Sequence, residues 1–177
     1  MRAKWLWMAI FLATATGCGQ GHAIFDIDVF SFLSAANADT LPYIGPLPPG
    51  VPDTIPVQTV TSLGIGSSSL VESVSMSGAV DFVNATGTGS VLFQVYFDSV
   101  KSTVYTGTPA FSVSGNVTPG ATTTSPFAKD LTDSTMKQLF LASTIYVGIR
   151  ASATGTIQGT AKLTALRARI VVQDKIF

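Results

Sequence analysis

His22 and Cys18 are the only histidine and the only cysteine of the chain, and they lie four residues apart near its start. A Ser-His-Asp mechanism needs an imidazole held by a packed framework. His22 precedes the first strand pattern, so it is expected on a tether, away from any pocket. A thiol nucleophile needs a neighbouring base and a fixed geometry, which a cysteine at the chain's edge lacks. Zinc sites are built from several Cys and His ligands, and one of each does not make one. Carboxylate chemistry remains. Glu72 is the only glutamate and the aspartates are scattered, so no spacing suggests the facing carboxyl pair of a glycosidase. Asp26 and Asp28 share one strand face and could offer oxygen ligands to Ca²⁺. No glycine-rich acidic loop accompanies them, and two carboxylates on a wet face are the plainer reading. No catalytic residue, metal site or cofactor is therefore assigned, and the chain is read as a non-enzyme.

Sugar-binding sandwiches stack rings on exposed aromatics. Trp5 and Trp7 are the only tryptophans and lie at the extreme N-terminus, which leaves Tyr43, Tyr96, Tyr105 and Tyr146 as platforms. Beyond the N-terminal Arg2 and Lys4, Arg167 and Arg169 are the only closely spaced basic pair, and two charges on a strand face give no electrostatic case for nucleic acid.

The elements that would position these residues begin with an address. Arg2 and Lys4 precede nine uncharged apolar residues, Trp5 to Ala13, and small residues follow up to Cys18. A basic start, a short apolar run and a small-residue exit describe a secretory signal peptide. The run is too short for the roughly 20 residues of a membrane-spanning helix. Ala15, Thr16, Gly17 and Cys18 resemble the lipobox of bacterial lipoproteins, although Ala15 stands where that family usually has Leu. The resemblance covers residues 1–18. It implies a signal peptide over 1–17, lipidation of Cys18, a lipidated tether over 18–23 and a protein held to the membrane by its acyl chains. Ala13-Thr14-Ala15 also fits an ordinary signal peptidase, which would cut after Ala15 and leave a free thiol. Gly19 is not the Asp that retains such lipoproteins at the inner membrane, so outer-membrane residence follows if the host has one.

Loss of residues 1–17 removes Arg2 and Lys4 and leaves a net charge of −2. Charged residues are 11% of the chain, and polarity comes from 18 Ser and 22 Thr. Hydroxyl-rich, β-branched surfaces suit exposed sheet faces. The body, 24–177, is long enough for one domain without disulfides.

Alternation organises that body. Ile24–Leu33 reads as a strand with Asp26 and Asp28 outward. Ser34–Pro56 holds six of the nine prolines and reads as a crossover loop, because proline is excluded from central strands. Val57–Ile65 is a second strand. In 69–84, Val74, Met76, Val80 and Phe82 share the apolar face; after a turn at 85–89, Val91, Phe93, Val95 and Phe97 do the same. Two such runs around a glycine-bearing turn predict a β-hairpin. Residues 111–118 continue the pattern, 119–130 reads as a loop, and Asp130–Ser143 as a short helix capped by Thr132 or Asp133. The final segments alternate through Ile145, Val147 and Ile149 and then Ala161 to Val172, with a phase flip at Ala165/Leu166 that implies a β-bulge. The sum is an all-β antiparallel β-sandwich, immunoglobulin-like, of about eight strands with one short helix; a small β-barrel is the alternative. The function expected is that of a membrane-tethered envelope lipoprotein whose body serves structural or protein-contact roles, with an envelope protein as partner. The eleven phenylalanines allow a second reading, a carrier or sensor of an apolar or lipid ligand in a β cavity.

Overall fold

The computed structural model describes residues 21–48, 53–61 and 70–174. In chain order these form β1 (Gly21–Asp28), α1 (Val29–Ala35), β2 (Thr40–Gly45), β3 (Gln58–Thr61), β4 (Leu70–Thr86), β5 (Gly89–Asp98), β6 (Phe111–Val117), β7 (Thr122–Asp130), α2 (Ser134–Gln138), β8 (Thr144–Thr154) and β9 (Ile157–Asp174). Short 3-10 turns occupy Lys101–Thr106 and Leu139–Leu141.

The strands make two antiparallel sheets. The first runs β1-β9-β4-β7, with β2 also paired to β9, and the second runs β3-β8-β5-β6. The expected β-sandwich is what the chain forms. The pairs β1·β9, β3·β8, β4·β7 and β5·β6 are nested. Such nesting arises when one long folded ribbon rolls up, which is the wiring of a jelly roll. It differs from the immunoglobulin order, in which A-B-E-D faces C-F-G. Both sheets end in edge strands rather than closing into a barrel.

The predicted hairpin 69–99 is corrected by this topology. β4 lies in the first sheet and β5 in the second. Val74, Met76, Val80 and Phe82 are buried as expected, and so are Val91, Phe93, Val95 and Phe97, but the two rows belong to opposite sheets. Alternation determines which face is buried and leaves open whether the next strand pairs beside it or crosses over it. Here the chain crosses. Gly87, at φ +76°, makes the corner, and Gly155, at φ +96°, makes the matching corner between β8 and β9. Each conformation is one that only glycine adopts without strain. The corner is stapled by Asn84, a buried polar side chain that is 1% exposed. Its Nδ2 donates to the Gly87 carbonyl at 2.7 Å, and its Oδ1 accepts from the Tyr43 hydroxyl at 3.3 Å.

Other expectations shift for local reasons. The strand expected over 24–33 begins at Gly21 and ends at Asp28, and the chain turns into α1. Gly21–Ala23 are thus strand rather than tether. Val29 and Leu33, spaced i and i+4, are both buried, and the Asp28 carboxylate caps the helix by accepting from Ser31 N–H at 3.4 Å. A helical pair was hidden inside an apolar run. The crossover 34–56 contains β2, whose Pro42 is tolerated because the strand pairs on one side only. The loop expected at 119–130 contains edge strand β7, with Pro126 inside it. The helix expected over 130–143 shrinks to α2 because Asp130 still pairs with Ser75 in the sheet. Its cap is Asp133, which accepts from Met136 N–H at 2.8 Å. The bulge in β9 sits at Thr164. Ala165 faces Ala79 and Leu163 faces Val80, and the extra threonine donates its hydroxyl to the Ala79 carbonyl at 3.1 Å.

Candidate functional site

The densest polar constellation among the described residues lies on the outer face of the second sheet. β5 and β8 pair so that Gln94 stands opposite Arg150 and Tyr96 opposite Gly148. These residues alternate with the buried row of Phe93, Val95 and Phe97 and so point outward. Gly148 has no side chain, and the 3-10 turn after β5 settles into that space. A Cβ there would stand 2.6 Å from Val104 and 2.7 Å from the Tyr105 ring. Tyr105 meets Tyr96 edge-on at 5.5 Å, and the Arg150 guanidinium lies over both rings at 5.6 and 5.5 Å. Cation–π attraction strengthens when water is excluded.

Polar contacts tie the cluster down. The Tyr105 hydroxyl donates to the Ile55 carbonyl at 2.6 Å and accepts from Ile149 N–H at 3.2 Å. Tyr96 donates to Gln94 Oε1 at 3.1 Å, and Gln94 donates to Ser112. Arg150 Nε lies 3.4 Å from an Asp53 carboxylate oxygen. That separation gives ionic attraction, but Nε is sealed from solvent without a directed hydrogen bond. The segment 53–55 is further held to β8 by Ile55 N–H on the Ile149 carbonyl and Ala151 N–H on the Asp53 carbonyl. Burial pushes the Tyr105 hydroxyl pKa up, opposed in part by the Ile149 hydrogen bond and the Arg150 charge. Chemically, the cluster holds a chain segment onto a sheet edge. It contains no thiol or imidazole and pairs its one cation with its one carboxylate. Sequence reasoning gave Tyr96 an outward face, but no local pattern links it to Arg150 or Tyr105.

The other singled-out residues are placed as follows. Cys18 and the signal-peptide-like residues lie outside the described residues. His22 is in β1, and its Nε2 lies 3.2 Å from Glu72, so the only histidine meets the only glutamate on an exposed rim. Asp26 faces Arg169 at 3.8 Å, and Asp28 sits opposite Arg167. The two aspartates and two arginines are thus a charge-alternating sheet face, and Asp28 is occupied as a helix cap. Among the described residues no three Cys, His, Asp or Glu side chains converge on a metal-binding point. Tyr43 and Tyr96 are buried, so neither is an exposed stacking platform. Asn84 is buried in its corner, whereas Asn116 is exposed.

Two spaces bear on ligand binding. An apolar gap between the sheets, lined by Ile27, Val29, Val60, Phe97, Phe140 and Val147 among others, measures about 10 Å³. That is near the threshold for a single water, so an acyl chain would require the sheets to part. A surface cleft of about 220 Å³ lies between the segment that precedes β6, the end of β7 and α2, lined by Thr108, Lys129, Leu131, Asp133 and Met136 among others. No described helix is long and apolar enough to cross a membrane.

No family model and no curated protein matches the chain. Among solved structures, the infectious bursal disease virus Gt strain is similar at 14% identity and a TM-score of 0.42, over 88% of this chain and 38% of that one. Dimeric latent PorU from Porphyromonas gingivalis is similar at 9% identity and a TM-score of 0.39, over 88% of this chain and 13% of that one. Eiger TNF from S. frugiperda is similar at 6% identity and a TM-score of 0.35, over 64% of this chain and 83% of that one. The chain thus spans well under half the length of the viral chain and of PorU.

Proposed function

We propose that the protein is a lipid-anchored envelope lipoprotein whose β-sandwich is a non-catalytic body for structural or protein-contact roles. The observation that carries this reading is the position of Cys18. The only cysteine of the chain stands directly behind a basic start, a nine-residue apolar run and three small residues. An unpaired thiol in an oxidising compartment is otherwise a liability. Two or more acyl chains make anchoring stable, whereas one holds only marginally. Gly19 in place of Asp favours the outer membrane in a two-membrane host. The Tyr96–Tyr105–Arg150–Asp53 cluster suits this role, because its polar groups hold the body's own segments together. The partner in such a role is another envelope protein. Radiolabelled palmitate is expected to enter the full-length chain expressed in bacteria and to be lost in Cys18→Ala. Equal labelling of both would refute the anchor.

A further inference from the structure

Resting on that anchor, we infer that the corner of the first sheet formed by Ile24, Val171 and Leu70 is a bilayer-contact surface that seats the sandwich on the membrane carrying the lipid. β1 begins at Gly21, three residues after Cys18, so an extended link spans at most about 11 Å. The headgroup layer on each side of a bilayer is roughly 5–7 Å deep, half the difference between total and hydrocarbon thickness. A lipid on Cys18 therefore brings the start of β1 to the headgroups and leaves little freedom to hold the body away.

Apolar side chains on the outer face gather at its tether end. Ile24 pairs with Val171, which in turn pairs with Ser73, and Leu70 stands one row nearer the tether opposite Gln173. Ile24 and Leu70 are each 53% exposed, the highest values among the large apolar side chains of the described residues. The next row away from the tether is Asp26, Arg169, Ser75 and Asp130, and the one beyond begins Asp28, Arg167 and Ser77. Rows on one face are about 7 Å apart. Ile24, Val171 and Leu70 thus lie within reach of the headgroup–acyl boundary, with the His22–Glu72 pair beside them at the level of the headgroups and the Asp26–Arg169 row beyond. On the rim itself, the Glu72 carboxylate is paired by His22, and Lys137 Nζ reaches the Glu72 carbonyl at 3.2 Å.

Both tryptophans precede Cys18, so a Trp introduced into the processed chain reports alone. Full-length Ile24→Trp, Leu70→Trp and Val83→Trp are expressed, and the processed proteins are reconstituted into phosphatidylcholine–phosphatidylglycerol vesicles with brominated acyl chains. Val83 is 46% exposed near the far end of β4 and serves as the distal reporter. Fluorescence at positions 24 and 70 should be quenched several-fold more than at 83 and shifted to the blue. Equal quenching at all three positions, with intact mass showing lipid on Cys18, overturns the contact surface and leaves the anchor standing. Absence of lipid by mass refutes the anchor. The same comparison on protein coupled through Cys18 to a maleimide phospholipid then decides the contact surface, with the same two outcomes.

Discussion

Phe82 of β4 crosses the interior to lie on Gly115 of β6, in the opposite sheet. A Cβ added at Gly115 would stand 2.6 and 2.7 Å from the Phe82 ring and 3.1 Å from Ser125 Oγ. Phe82 is fully buried, so the ring has no solvent side into which to retreat. Overpacking of this kind costs about 1–3 kcal/mol. Replacing Gly by Ala also restricts the unfolded chain and returns about 0.4–1 kcal/mol. Gly115→Ala is therefore expected to destabilise by about 1–2 kcal/mol. Phe82→Ala should cost about 3–5 kcal/mol, through lost burial and the cavity left behind. In the double variant the added methyl no longer meets a ring and refills part of that cavity, so Gly115→Ala becomes neutral or stabilising. The coupling should be at least about 1 kcal/mol, in the range seen for residues in contact. Urea denaturation of the soluble form, residues 19–177, measures all four corners of the cycle at constant m. Additivity within about 0.5 kcal/mol would mean that the two residues do not touch across the sheets, and the jelly-roll assignment of β4 and β6 to opposite sheets would lose its main packing contact.

Asn84→Ala should cost about 1–3 kcal/mol in the same denaturation, because it leaves the buried Tyr43 hydroxyl and the half-buried Gly87 carbonyl without their partner; Asn116→Ala, at an exposed site, should stay within about 0.5 kcal/mol. Gly148→Ala should destabilise by about 1–3 kcal/mol through the Val104 and Tyr105 contacts, and proteolysis should then open the segment around 101–106 first. Burial raises the pKa of Tyr43 and Tyr105 above the ordinary 10.0. The folded state therefore holds these protons more tightly than the unfolded chain. Their contribution is fully present below about pH 10 and is lost as pH rises through the raised values. The urea midpoint should be flat through neutral pH and fall above about pH 10, and Tyr105→Phe should lessen that fall while lowering stability at pH 7. A fall of the same size in Tyr105→Phe would remove Tyr105 from the account.

What the sequence made legible follows from the range of each signal. Period-two alternation is a property of one strand and its buried face. It therefore identified Val74 to Phe82 and Val91 to Phe97 as core, and the phase flip in β9 to within two residues of Thr164. It carries no record of partner strands, so a two-residue link at Gly87 and Thr88 read as a hairpin when it is a crossing between sheets. Edge strands were the elements missed. β2 and β7 contain Pro42 and Pro126, and β7 is otherwise mostly hydroxyl and charged residues with Thr122, Thr124 and Lys129 exposed, so neither carries the mark of a central strand. α1 was hidden because Val29, Phe30, Phe32 and Leu33 satisfy strand and helix templates alike. The tyrosine–arginine cluster draws on positions 53, 96, 105 and 150, and only the fold brings those together. Its one sequence trace is Gly148, a residue without a side chain on the outward row of β8, into whose space Tyr105 packs.

The central claim is that residues 18–177 are held to a membrane by lipid on Cys18. Mass spectrometry of the N-terminal peptide, released from protein extracted from bacterial membranes, tests it most directly. The account predicts a peptide that begins at Cys18 and carries a diacylglyceryl thioether, and that is absent in Cys18→Ala. A peptide beginning at Thr16 with an unmodified cysteine would contradict it.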